Sequence, residues 1–339
     1  MPDYRTPAYL SPSALSTWEE APDEAFTRYV VPKDIRPERQ LQTSPMSVGS
    51  AFDALVKNAI HLRYYGPEKT EEAGYRIRDL VVSQCQKHTL PESLVIAIDC
   101  FDQYVECGAL AVLCELIDRS KVLPRMEFDV TGVVEGVPLL GKPDLFFHTP
   151  RGAFVISDWK VSGSVSKGGV SPQQGYKSCH TIAGGKDNVP HKKFVPREHL
   201  GMIVNSVPMN ETTDYWADQL CTYAWAMGLP IGTQEFVARI EQLACRPTPK
   251  KDTTLRLKIK CVVHQSTVAA DYQHELIERY KRVWSGIASG HYFQDLSRAA
   301  SDARANLICK RLENPGYVEP SPFVPTSVVG SPAPLIKWN

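Results

Sequence analysis

Between residues 126 and 160 two turn signals punctuate a series of apolar runs, and their spacing fixes which acidic side chains can meet. Thr149-Pro150-Arg151-Gly152 is a turn signal between two such runs. A hairpin centred on Arg151 sets Asp144 opposite Asp158. Upstream, Glu135-Gly136 reads as a two-residue turn between Glu127-Phe128-Asp129-Val130 and Pro138-Leu139-Leu140, and that register sets Glu127 opposite Asp144. The carboxylates of Glu127, Asp144 and Asp158 then form one row across neighbouring strands. Direct cross-strand neighbours lie ~5 Å apart, and like charges there destabilise a sheet unless a cation sits among them. Lys160 follows Asp158 by two residues and shares its face. A single β-bulge would move a partner to the other face, leaving two surface hairpins with scattered charges as the alternative. Two acids and a lysine on adjacent strands are the parts that hold a divalent metal and cut a phosphodiester.

The bulk properties bound the rest. The 339 residues suit one large domain or two smaller ones, and 43% apolar with 22% charged residues is ordinary for a globular chain. The 38 basic and 38 acidic residues cancel, so any affinity for nucleic acid must come from local patches. No segment is apolar and long enough to span a bilayer, and Met-Pro-Asp-Tyr-Arg-Thr lacks the plan of a signal peptide. Nine cysteines with no Cys-x-x-Cys pair imply reduced thiols and a cytoplasmic setting.

Along the chain, Ser11-Pro12-Ser13 opens a helix carrying Leu15 and Trp18 on one face. A second helix covers Ser47 to Val56, with Gly49 and Ala51 permitting close packing. Residues 69–120 read as helical and 125–160 as strands. A long Gly/Ser/Lys/His-rich stretch over about 161–213 reads as a functional or mobile insert. A helix follows from Asp214 to about Met227, then strands at Glu235–Ile240 and Leu255–Lys260, and a helix from about Ser266 to Ala288. Residues 314–339 are proline-rich and read as an extended tail.

Several of these segments, in this order, resemble the PD-(D/E)XK nuclease superfamily, and within it the RecB-like exonuclease group. Leu10 to Trp18 is similar to that group's N-terminal helix, and Val48-Gly49-Ser50-Ala51-Phe52-Asp53 to its second helical motif. Gly141-Lys142-Pro143-Asp144 with Ser157-Asp158-Trp159-Lys160 matches the defining core. Gln219-Leu220-Cys221-Thr222-Tyr223 matches the Gln-x-x-x-Tyr motif that follows it, and Trp284 to Gly290 resembles the C-terminal helix end. The second motif usually ends in a histidine ligand; Asp53 stands there, and is either an oxygen ligand or a helix-surface acid. The insert is longer than the group's pattern, Ala21-Pro22 stands where cluster-bearing relatives have a cysteine, and Cys245, Cys261 and Cys309 are scattered, so no iron–sulfur cluster is expected.

The resemblance implies an α/β (α+β) fold: a restriction-endonuclease-like core with a mixed central sheet flanked by helices. Residues 1–120 would form an N-terminal helical part, 121–295 the core with its insert, and 296–339 a C-terminal extension. It implies a Mg²⁺- or Mn²⁺-dependent DNA nuclease, most simply an exonuclease of recombination, repair or phage genome processing. Alternatives are a structure-specific or restriction-type endonuclease, and a nuclease-like module that binds without cutting. Asp144, Asp158 and Lys160 would be catalytic. Asp144, Asp158, the Trp159 carbonyl, Glu127 and Asp53 are the candidate metal ligands. Gln219 and Tyr223 share one helical face, suited to gripping the substrate backbone, ordering Lys160 or simply packing in the core. In the insert, Lys167, Lys177, Lys192 and Lys193 would contact DNA, or face solvent as charge runs commonly do. The proline-rich tail is a candidate protein-binding segment.

Overall fold

Ser11 begins the first helix, its hydroxyl accepting a hydrogen bond from the Ala14 amide at 3.2 Å while Pro12 occupies the first turn. The computed structural model describes residues 4–38, 42–67, 85, 91–162, 177–178, 211–245 and 259–317. Helix α1 (Pro12–Glu20) leads into the short α2 (Pro22–Ala25) and a π-helical turn at Phe26–Val30. Then come α3 (Ser44–Tyr64), α4 (Pro91–Glu106) and α5 (Ala109–Asp118). Strands β1 (Val130–Val134), β2 (Val137–Gly141), β3 (Leu145–His148), β4 (Phe154–Ser162) and β5 (Lys177–Ser178) follow. The remaining elements are α6 (Glu211–Ala226), β6 (Phe236–Cys245), β7 (Ile259–Ser266), α7 (Ala270–Ser289) and α8 (Arg298–Glu313).

Five strands form a mixed sheet in the order β3-β4-β6-β7-β5; β4 and β6 run parallel and the other neighbours antiparallel. Strands β1 and β2 form a separate antiparallel hairpin. This is the α/β arrangement that the sequence leads one to expect of a restriction-endonuclease-like core. Its two faces are buried by different helices. Ile156, Phe236, Ala238 and Ile240 pack with α1, α6 and α7 through Leu15, Trp18, Trp216, Leu220 and Tyr280. Val155, Trp159, Leu145, Phe147 and Leu243 pack against α3, α4 and α5 through Phe52, Val56, Ile60, Tyr104 and Leu113. The period-two alternation of a strand thus sends Val155 and Trp159 to one helical layer and Ile156 to the other.

Both hairpin registers follow the turn arithmetic. Leu145 pairs with Ser157, so one further step brings Asp144 opposite Asp158. Val130 pairs with Gly141, and an isolated bridge pairs Arg125 with Phe146 in the same register, which brings Glu127 opposite Asp144. Glu135 and Gly136 both have positive φ, 49° and 79°, as a two-residue hairpin turn of the primed type requires.

Some boundaries differ from the sequence reading. Strand β7 runs through Ser266 and α7 starts at Ala270, so the helix assigned from Ser266 begins later. The local sequence Cys261-Val262-Val263 favours a strand that pairs with β6. Residues 298–313, given no element from sequence, form α8, which Ser297 caps and which buries Ala305 and Cys309 in the first core. A Cβ at Gly49 would meet nothing within 4 Å, so the close packing in α3 comes from Ala51 and not from Gly49. Much of 69–90, most of the insert and residues 318–339 lie outside the described residues. No helix of the described residues is long and apolar enough to cross a membrane.

Candidate metal centre

Helix α3 carries Asp53 and Lys57 one turn apart, hence on one face. Phe52, Val56 and Ile60 anchor the helix in the core against the sheet, which turns that polar pair toward the point where the two hairpins meet. There the Lys57 ammonium, fully buried, donates to Asp53 Oδ2 at 2.5 Å, to Asp144 Oδ1 at 2.9 Å and to Glu127 Oε1. Glu127 Oε2 pairs with the half-exposed Lys142 at 2.8 Å. Asp144 Oδ2 accepts from the Trp159 amide at 3.3 Å. Asp53, Glu127 and Asp144 each offer one oxygen within 4.8 Å of the other two.

Asp158 shares the Asp144 face but turns toward α6. Its Oδ1 pairs with Lys160 Nζ at 2.8 Å and its Oδ2 accepts from Gln219 Nε2 at 2.5 Å. Gln219 Oε1 in turn accepts from Lys160 Nζ at 2.9 Å, and its Nε2 also donates to the Tyr223 hydroxyl at 2.8 Å. One amide therefore bridges the acid and the lysine and is itself anchored by Tyr223. Tyr223 is buried, and it fits because residue 141 is glycine: a Cβ there would lie 2.4 Å from the Tyr223 ring.

The electrostatics follow from four carboxylates set close together, Asp158 buried and Asp53, Glu127 and Asp144 part-buried. Burial pushes Asp53 well above the ordinary carboxylate range, and the neighbouring Asp144 charge adds to it. Burial and Asp144 likewise raise Asp158 to about 7. Burial would raise Asp144 too, but Lys57 and Lys160 outweigh it and hold its pKa below the usual value. Burial alone would lower the two lysines. The Asp144, Asp53 and Glu127 charges instead keep Lys57 protonated well above the ordinary range, and Asp158 and Asp144 do so for Lys160.

The donor set fits a hard divalent ion. Three carboxylates supply oxygen ligands of the kind Mg²⁺ and Mn²⁺ prefer. Asp53 Oδ1 is buried without a hydrogen-bond partner among the described residues, a lone pair directed at no protein donor. The family model of the PD-(D/E)XK nuclease superfamily matches residues 9–175. Residues 9–175 belong to the PD-(D/E)XK nuclease superfamily. The match runs from α1 through Asp53, Glu127, Asp144, Asp158 and Lys160, and ends before α6 with its Gln219 and Tyr223. A comparison with curated proteins found no match. Membership in this superfamily implies a metal-dependent nuclease acting on nucleic acid.

Two residues of the centre escaped the sequence reading. Lys57 was legible as a cation one turn beyond Asp53, but nothing in the sequence marks it as buried. Lys142 lies inside the Gly-Lys-Pro-Asp motif yet carries no signal of pairing with Glu127. Trp159 can offer a metal only its main-chain carbonyl, because its indole has no oxygen donor and packs with the α3 layer. Among the predicted DNA-binding lysines, Lys177 lies on the β5 edge opposite Cys261, and Lys167, Lys192 and Lys193 lie outside the described residues.

Proposed function

We propose that the chain is a Mg²⁺- or Mn²⁺-dependent deoxyribonuclease, an exonuclease of the RecB-like kind serving recombination, repair or phage genome processing. The observation that carries this reading is the linked set Asp158, Lys160 and Gln219, joining β4 to α6 beside the register position of Asp144. Asp144 and Asp158, with Glu127, Asp53 and the Trp159 carbonyl, would hold the metal. A bound divalent ion supplies Lewis acidity toward a phosphoryl oxygen. Lys160 stays protonated, so its part is to orient the attacking water and offset charge in the transition state rather than to remove a proton. Gln219 positions Lys160 against Asp158, and Tyr223 positions Gln219. Because Tyr223 is buried, this reading gives the pair an ordering role ahead of a grip on the substrate backbone. The insert lysines, with Lys167, Lys177, Lys192 and Lys193 among them, would track the DNA backbone, and the proline-rich tail would dock a protein partner.

One observation favours a second reading. Lys57 already bonds to three of the acids and fills the space among them, as a protein that binds DNA without cutting it would permit. Incubation with matched linear and closed-circular DNA in Mg²⁺, Mn²⁺ or chelator separates the possibilities. The exonuclease reading expects metal-dependent loss of linear DNA alone, abolished in folded Asp158→Ala and Lys160→Ala. Cutting of the circle would make it an endonuclease. Binding without turnover in every condition would replace the enzyme with the binding module.

A further inference from the structure

The Lys57 ammonium stands at the point that the Asp53, Glu127 and Asp144 oxygens share. It is fully buried and bonds to one oxygen of each acid. A hard divalent ion binds carboxylate oxygens at ~2.0–2.6 Å, so an ion taken up by those same oxygens would fall on the ammonium itself. Two cations cannot share that volume, and within a buried site their repulsion is strong. We infer that Lys57 is a tethered counter-ion that occupies the metal position, holds the three acids together, and must swing aside before a divalent ion can bind them.

The surroundings suit such a device. Lys57 is joined to the site by a flexible four-carbon stem on the same helix as Asp53, so displacing its ammonium requires side-chain rotation and no shift of α3. The Trp159 ring lies beside it, its centroid 6.0 Å from Nζ, and offers an aromatic surface for a displaced ammonium. The adjoining lysines have other posts: Lys142 is held at the outer oxygen of Glu127 and Lys160 by Asp158 and Gln219. Among the described residues, Lys57 is thus the cation that competes directly for all three acids. The competing arrangement places the ion on the outer oxygens, including the unpartnered Asp53 Oδ1, with the ammonium left where it is.

The inference rests on the metal-site half of the function proposed above, but its test does not read DNA cleavage. Mn²⁺ is titrated calorimetrically into the wild-type chain and into Lys57→Met, and both are melted in chelator and in Mn²⁺. The expected result is at least about tenfold tighter Mn²⁺ binding by Lys57→Met, a lower Tm in chelator, and a larger rise in Tm on adding Mn²⁺. Equal or weaker binding by the variant, or no Mn²⁺ binding by either protein, would overturn it. If Lys57→Met does not fold, Lys57→Gln replaces it, and the wild type gives an independent reading by acetylation and peptide mass mapping. Lys57 should become more reactive as Mn²⁺ saturates the site; protection unchanged at saturating Mn²⁺ would overturn the inference. Failure to cut DNA alongside tighter Mn²⁺ binding in the variant would remove the nuclease reading and leave this one standing.

Discussion

Asp218 sits one residue before Gln219, buried, with its carboxylate bonded to the Tyr272 hydroxyl and paired with Arg279 at 3.0 Å. Burial nonetheless raises its pKa above the ordinary value, because the Arg279 charge and the Tyr272 bond compensate only in part. An acid raised on folding contributes stability below its unfolded pKa and loses it as pH rises through its folded one. The wild type should therefore lose stability across that acid-side window more steeply than Asp218→Asn. Urea unfolding at a series of pH values checks this, and parallel pH profiles would refute it. The neutral Asn keeps the approximate shape of the site and removes the proton equilibrium together with the charge that pairs with Arg279, so the comparison reads the pH slope and not the absolute stability.

At the scale of elements, the contact between β2 and α6 is what positions Gln219. Gly141 leaves room for the Tyr223 ring, and Gly132 in β1 approaches the α6 backbone at Ala226, where an added Cβ would lie 3.2 Å from Cα. Gly141→Ala should cost about 1–3 kcal/mol of stability, as overpacking does, and should slow metal-dependent cleavage by loosening Gln219. Tyr223→Ala removes the obstructing ring, so the double variant should lose less stability than the two single variants summed. Thermal melts of the four proteins test that coupling; strict additivity would count against the steric account. On the other face of the sheet, Arg239 and Glu241 of β6 form a buried ion pair at 2.7 Å, and Tyr104 of α4 donates to Glu241. Removing one member of a buried pair strands the other, so Glu241→Ala should cost about 3 kcal/mol or more in an unfolding titration.

Across the whole molecule, the last described helix closes the first core. Helix α8 buries Ala305 and Cys309, its Asn306 accepts from the Tyr4 hydroxyl at 3.1 Å, and its Arg304 pairs with Asp23 at 2.8 Å. It therefore ties the N-terminal segment and α2 to the end of α7, where Gly290 adopts the left-handed conformation at φ 70° and stops the helix. A chain ended after residue 297 should melt at least about 2 °C lower and expose the α1–α7 core to proteolysis. An unchanged Tm would show that α8 only decorates the surface.

The sequence by itself determined the hairpins and the chemistry they carry. Glu135-Gly136 and Thr149-Pro150-Arg151-Gly152 have local conformational preferences strong enough to set strand register, and register sets which residues share a face. That made the pairing of Glu127 with Asp144, and of Asp144 with Asp158, readable as register, as the Gln219–Tyr223 spacing made their common helical face readable. Only the tertiary structure decided what surrounds those acids. The burial of Lys57 depends on how α3 packs against β4, and the role of α8 depends on the core that Ala305 and Cys309 share with Phe26 and Phe293. Such long-range packing leaves little trace in local periodicity, because the same lysine or alanine pattern would serve equally well on a helix facing water.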